Sequence, residues 1–231
     1  MAVSCTALVI GAQGGIGGAL LAALEAEGRW RRVIGLSRRG APPCDLTDET
    51  SIAAAAKWVA VEAPDLALVI LATGFLHDDR FQPEKAMRQL DPAHMAKAFA
   101  INAIGPALAM KHMLPRLRRD GAATFAALSA RVGSIGDNVI GGWWSYRASK
   151  AALNQLVRTA AVELKRANPG AAVVAIHPGT VATGLSSPFS KAGLEVQAPP
   201  DAARRILDVL TGLQPADSGK FFDWRGAPVP W

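Results

Sequence analysis

Tyrosine and cysteine are the scarcest reactive residues of this 231-residue chain, with one tyrosine, Tyr146, and two cysteines, Cys5 and Cys44. Two thiols exclude a disulfide-stapled scaffold, and their places on or near predicted strands point to buried thiols in a reducing, cytoplasmic setting. The four histidines, His77, His94, His112 and His177, show no metal-ligand spacing, so no metal is expected. No apolar run reaches the length of a membrane span, and the N-terminus lacks a basic segment followed by an apolar one; neither a membrane partner nor a signal peptide is expected. Acidic residues are the minority, 19 against 25 Lys and Arg, for a net charge of +6. The basic residues are scattered as Arg29/Arg31/Arg32, Arg38/Arg39, Arg116/Arg118/Arg119 and Arg204/Arg205, without the aromatic interleaving of a nucleic-acid surface, so nucleic acid is not an expected partner.

What is present is apolar and regular. Half of the residues are hydrophobic, enough to bury the core of one α/β domain over residues 1–231. Strands are predicted at 6–10, 32–37, 66–72, 122–129, 171–177 and 219–224, with a short additional one ending at Cys44-Asp45. Helices are predicted at 19–28, from an N-cap at Thr47 to about Val61, from an N-cap at Asp91 with Pro92 at its first position to about Arg119, from Tyr146 to about Ala167, and at 201–211. Alternating apolar strands and amphipathic helices predict a doubly wound parallel sheet of about seven strands, a Rossmann fold, with ligand at the carboxyl ends of the strands. Residues 74–90, 130–144 and 178–199 are left as long loops.

Two motifs stand out. After the first strand the chain reads Gly11-Ala12-Gln13-Gly14-Gly15-Ile16-Gly17, with glycines spaced GxxxGxG. Strand, glycine turn and helix together present backbone N–H groups and a helix N-terminus to a phosphate. The second motif is Tyr146 with Lys150 four residues later on a predicted helix. Such a pair shares one face at roughly 5–6 Å between Cβ atoms. An ammonium there is expected to lower the phenol from about 10 toward neutral, making Tyr146 a general acid or base. A third observation is physical: Pro106 has no N–H for the carbonyl of Asn102, which predicts a kinked helix with that carbonyl free for another partner.

Together these motifs resemble the short-chain dehydrogenase/reductase superfamily of classical type, over essentially the whole chain. The stretches Gly133-Ser134-Ile135-Gly136-Asp137-Asn138 and Gly141-Gly142-Trp143, with Asp223-Trp224 and Pro230-Trp231, resemble its C-factor-like and sniffer-like carbonyl reductases. Ile10 departs from the family's Thr before the first glycine, and Ala72-Thr73-Gly74 departs from its usual Asn-Ala-Gly. The resemblance implies an NAD(P)-dependent oxidoreductase in which Tyr146 donates the proton, Lys150 holds the nicotinamide ribose, and the main-chain carbonyl of Asn102 anchors a water relay. It implies that Asp45 and Leu46 flank the adenine and that Pro178, Gly179, Val181 and Thr183 belong to a PGxxxT loop over the nicotinamide. It also implies a serine that polarises the carbonyl. Ser129, at the strand end, and Ser134, twelve before Tyr146, both qualify, and the rigid strand end tips the choice to Ser129.

The cofactor's identity is read from the second strand. Rossmann folds that prefer NAD end it with an acidic residue for the ribose 2′-hydroxyl; here Ser37, Arg38 and Arg39 stand there, matching a 2′-phosphate. NADP(H) is expected, with a carbonyl or alcohol as substrate and Trp143, Trp144, Leu185, Phe189 and Phe75 lining an apolar pocket. A homodimer or homotetramer is the expected assembly. The rival readings are a catalytically weak NADP(H)-binding protein in signalling and a nucleotide-sugar epimerase or dehydratase, against which the GxxxGxG spacing and short chain argue.

Overall fold

Thr6–Ile10, all five buried, form strand β1, and its apolar run on both faces is what a central parallel strand requires. The computed structural model describes residues 5–189 and 195–231. Strand β1 is followed by α1 (Gly15–Ala26), β2 (Arg32–Leu36), α2 (Glu49–Glu62), β3 (Leu66–Leu71), α3 (Pro92–Phe99), α4 (Gly105–Met113) and β4 (Ala123–Leu128). Helix α5 (Trp144–Ala167), β5 (Ala171–His177), the short β6 (Thr180–Val181) and β7 (Val196–Gln197), α6 (Pro199–Thr211) and β8 (Phe221–Asp223) complete the order. The main sheet has six parallel strands in the order β2-β1-β3-β4-β5-β8, and β6 with β7 forms a separate parallel pair.

Side-chain alternation along the strands feeds two cores. On one face, Leu8, Ile10, Val69, Phe125 and Val173 meet Ile52 of α2, Met110 of α4 and Leu153 and Val157 of α5. On the other, Val9, Ile70, Leu128 and Ile176 meet Leu20 and Leu24 of α1 and Ile206 and Leu210 of α6. The order reverses between β1 and β3, and the crevice above that point belongs to Gly11 and Ala72. Gly11 N donates to Leu36 O at 2.8 Å and Ala72 N to Ile10 O at 2.8 Å.

Four sequence expectations need correction. The strand expected to end at Cys44-Asp45 is a single bridge, Ser37 to Pro43, because Pro42 and Pro43 lack the N–H groups a ladder needs; the main sheet therefore has six strands rather than about seven. Helix α1 begins at Gly15, so the last glycines of the turn are already helical. The cap of α2 is Asp48, whose carboxylate accepts from Thr50 N at 2.8 Å; the Thr47 hydroxyl is instead held by Asp45 at 2.7 Å. The long helix from Asp91 is interrupted. Asp91 caps it as expected, accepting from His94 N at 2.8 Å, but Ala100–Ile104 form a π turn and Met113 ends α4 before Pro115.

The π turn is the consequence of Pro106. With no N–H there, Gly105 N reaches back five residues to Ala100 O, and the helix widens by one residue. Gly105 is also where this segment presses on the chain before α2: a Cβ at that position would lie 2.5 Å from Leu46 O. Gly105→Ala is expected to lower stability by about 1–3 kcal/mol in urea unfolding, the range for an overpacked site. Gly212→Ala, where the nearest atom to an added Cβ is 3.7 Å away, should stay within about 0.5 kcal/mol of the parent.

Candidate active site

The carboxyl ends of β1, β2 and β3 open into a cleft of about 600 Å³. Gly11, Gln13, Gly14, Ser37, Arg38, Arg39, Asp45, Leu46, Ala72, Thr73 and Gly74 line it, so eleven residues picked from sequence converge on one surface. Gly15, Ile16 and Gly17 form the first turn of α1 directly behind. The turn is so tight that a Cβ on Gly17 would overlap the Gly11 carbonyl oxygen, and Gly11 has φ +91°. Helix α1 has Gly14 at its N-cap and no side chain bonded there, leaving its first N–H groups for an external acceptor.

Two observations test the fit of a dinucleotide in this cleft. The Thr73 hydroxyl is buried yet has no partner among the described residues, as a group reserved for a ligand would be. Arg38 and Arg39 line the cleft at its β2 side, exposed and outside every ion pair among the described residues. Asp45 is committed elsewhere: the N–H and hydroxyl of Thr47, and then the charge of Arg38, hold its carboxyl below the usual carboxylate range. The residues fit a phosphorylated dinucleotide.

The opposite wall comes from α5. Tyr146 and Lys150 are both buried, at 9% and 2% exposure. Lys150 Nζ donates to Leu128 O at 2.9 Å and lies 6.0 Å from the centre of the Tyr146 ring. Burial pushes the Tyr146 phenol up and the Lys150 ammonium down, to about 7. The direction for the phenol is opposite to the expected lowering by Lys150, because desolvation governs both groups.

Asn102 ties the two walls together. Its Oδ1 accepts from Phe75 N at 2.8 Å, and its Nδ2 donates to Phe75 O at 2.7 Å and to Ser149 Oγ at 3.0 Å. A Cβ on Gly74 would lie 3.7 Å from Lys150 Nζ and 3.8 Å from Asn102 Oδ1, so the β3 loop, the π turn and α5 meet at that glycine.

The two serines brace rather than face this point. Ser129 Oγ donates to Asn154 Oδ1 at 2.6 Å, and Asn154 Nδ2 donates to Gly133 O at 3.3 Å. Ser134 Oγ accepts from Asp137 N at 3.2 Å. The strand-end residue that packs with Tyr146 is Ala130, while Ser129, also turned toward α5, is engaged by Asn154 two turns beyond Tyr146. Around that alanine lie Leu76, Val132, Trp143, Leu185 and Phe189. Of the expected pocket residues, Trp144 is 38% exposed and outside this cluster, and Phe75 packs with Phe81 and Ala98 instead.

The loop after β5 closes the site. A Cβ on Gly15 would lie 2.7 Å from the Thr183 methyl, so Thr183 rests on the glycine turn. Pro178 O accepts from Gln197 Nε2 at 3.3 Å, and Gly179, with φ +81°, packs against Trp224. Val181 is buried on β6. Sequence reasoning missed a buried group at the start of α5: Ser145, which bonds Glu84, and His94, which lies 3.2 Å from the same carboxylate. Nothing in the 74–90 loop, which also carries Asp78 and Asp79, singled out Glu84.

A family model described as enoyl-(acyl carrier protein) reductase matches residues 13–205. The C-signal protein of Myxococcus xanthus is 41% identical over 146 residues, covering 63% of this chain and 84% of that protein. The 1-hydroxy-2-glutathionyl-2-methyl-3-butene dehydrogenase of a Rhodococcus strain is 30% identical over 190 residues, 82% of this chain and 79% of its own. Among solved structures, the NADPH-bound carbonyl reductase from chicken fatty liver superposes over 100% of both chains with a TM-score of 0.85 at 27% identity.

Because Tyr146 is the chain's one tyrosine, its ionisation is directly visible in the ultraviolet. Burial disfavours the phenolate, so in the ligand-free protein the phenolate band should reach half height well above the ordinary tyrosine value of about 10. In denaturing urea the same band should return to about 10.

Proposed function

Because the chain belongs to the short-chain dehydrogenase/reductase superfamily, within the reductase family whose model spans residues 13–205, we propose that it is an NADPH-dependent carbonyl reductase. The observation that carries this reading is the buried Tyr146–Lys150 pair, whose ammonium reaches Gly74, a residue that lines the cleft together with the glycine turn. When bound, NADPH supplies the hydride that reduces a ketone or aldehyde carbon to the alcohol, becoming NADP+.

The protein's own residues do the rest. The first turn of α1 and Thr183 receive the diphosphate, and Thr73 offers its unpartnered hydroxyl. Arg38 and Arg39 take the 2′-phosphate beside Ser37. Lys150, held by Leu128 O and pushed down to about 7 by burial, would keep its ammonium charged beside a negatively charged dinucleotide. That charge then opposes the effect of burial on Tyr146, whose hydroxyl hands its proton to the oxygen that receives the negative charge. No serine is given a role in this proposal: the Ser129 hydroxyl donates its hydrogen bond to Asn154 Oδ1, Ser134 Oγ accepts from Asp137 N, and the alanine at position 130 packs beside the phenol. Trp143, Leu185 and Phe189 make the wall there apolar and aromatic, suited to an aromatic aldehyde or ketone. We read residues 1–231 as one domain acting in the cytoplasm. Neither cysteine is in a disulfide, and no described helix is long and apolar enough to cross a membrane.

A second reading is a weak enzyme whose NADP(H)-bound form serves in signalling. The 41% identity to a protein named C-signal favours it, as does an alanine at position 130, where the family's second serine would stand, in the cluster with Tyr146. Turnover of a panel of aldehydes, ketones and quinones, followed by NADPH absorbance, separates the two.

On a good substrate, Tyr146→Phe should lower kcat by at least about a hundred-fold, the worth of a positioned general acid. Ser129→Ala and Ser134→Ala should each lower it less than about ten-fold, well short of the loss from deleting an oxyanion donor. In calorimetry NADPH should bind at least about ten-fold tighter than NADH, about 1.4 kcal/mol. Arg38→Asp should reverse that order by removing the phosphate's partner and offering a carboxylate to a free 2′-hydroxyl.

A further inference from the structure

Helix α5, which carries Tyr146, starts without a cap of its own. Its N-cap is Trp143, whose side chain makes no capping bond and whose backbone is left-handed, φ 52° and ψ 44°. That conformation is uncommon for a bulky residue and persists only where surroundings hold it. It follows Gly141 and Gly142, at φ +70° and +66°, so three successive residues turn the chain leftward into the helix.

The glycine carbonyls before it are held from within α5, where Arg147 Nε donates to Gly142 O at 2.9 Å, and Trp143 itself is held by Glu84, in the loop between β3 and α3. Its backbone carbonyl accepts from Trp143 N at 2.5 Å. Its carboxylate accepts from Ser145 N at 3.2 Å and from the Ser145 hydroxyl. His94 Nδ1 lies 3.2 Å from the same carboxylate, and Glu84, His94 and Ser145 are 2%, 3% and 0% exposed. Three donors around one acidic group is the pattern that an acceptor-only carboxylate satisfies, and the N-terminus of a helix is where a negative charge is favoured. His94 is itself fixed, stacked on Phe81 at 5.0 Å and edge-on to Phe75 at 5.9 Å.

We infer that Glu84 is a positioning residue for Tyr146, acting as a cap supplied from a distant loop that fixes Trp143 on one side of the phenol and Ser145 next to it. Trp143 lies 6.1 Å from the Tyr146 ring and 5.4 Å from Phe189, so the same anchor sets one wall of the substrate pocket. The loop holding Glu84 also contains Phe75, which Asn102 grips from the cofactor side. One segment thus aligns the two ends of the reacting geometry. The catalytic part of this inference rests on the proposed reductase activity; the alignment of Tyr146 does not.

The test uses Glu84→Gln, which keeps shape but turns one acceptor oxygen into a donor facing donors, and Ser145→Ala, which removes one bond and little volume. Two readouts are taken on the full chain. The first is kcat and KM for para-nitrobenzaldehyde with NADPH, beside the NADPH dissociation constant. The second is the nuclear magnetic resonance signal of isotope-labelled tyrosine, which in this chain reports Tyr146 alone. We expect kcat to fall at least about ten-fold in Glu84→Gln while NADPH affinity changes less than about two-fold, with the tyrosine signal displaced or broadened. Ser145→Ala should show the same pattern at smaller amplitude and decides the matter if Glu84→Gln does not fold. Folded variants with parental kcat and an unmoved tyrosine signal overturn the inference. So does a loss of kcat matched by an equal loss of NADPH affinity, which marks general damage. If the parent itself turns over no carbonyl, the reductase proposal fails, and the tyrosine signal alone still judges the alignment.

Discussion

A lysine buried to 2% exposure has to be held by something, and in this protein the holder is the last carbonyl of a strand. The bond from Lys150 Nζ to Leu128 O fixes how α5 lies over β4. It places the ammonium near Gly74 and Tyr146 one turn before it, packed with Ala130 two residues past the end of the strand. The close packing of Gly133 follows from the same contact, since a Cβ there would lie 2.8 Å from Lys150 Cβ. Burial pushes the ammonium down to about 7, and a negative charge beside it would favour the cation in a place where electrostatic effects are large.

Much of this was legible in the chain because local rules and global fold agree. The apolar runs of β1, β3, β4 and β5 are buried on both faces and could hardly be anything else. The glycine turn and the Tyr146–Lys150 spacing are read from short stretches whose backbone geometry is dictated locally. Asp91 with Pro92 marks a helix start by chemistry that needs no partner from afar. The features that stayed hidden are tertiary. Asp48 caps α2 because Thr47 is drawn to Asp45, a competition invisible to a propensity rule. The direction of Ser129 depends on Asn154, twenty-five residues away, and the turning inward of Glu84 depends on Ser145, sixty-one away. The phenol's response to burial could not be read from spacing at all, because spacing carries no dielectric.

The two halves of the cleft are built on different principles. The β1–α1 side is backbone: glycines, a helix end with no side-chain cap and a turn too tight for side chains, which together offer backbone N–H groups and a helix dipole. The α5 side is side chain, dry and crowded with aromatic rings, where Trp143 meets both Tyr146 and Phe189 at near right angles, 71° and 69°. Thr183 and Asn102 are the points at which these halves touch. A cofactor shared by many chemistries meets the first half, and the chemistry particular to this protein is left to the second.

The π turn at Ala100–Ile104 has a consequence for how this helix can change over time. One extra residue in a helical turn advances the phase of everything after it by about 100°. In this segment that advance lets Asn102 face the β3 loop while Ala109, Met110 and Met113 still face the core. Deleting a single residue there would restore an even spiral, and the two sets of side chains would no longer be in phase. The segment therefore accepts exchange of residues far more readily than any change in its length, and its count of residues is as much a part of the site as the asparagine it presents.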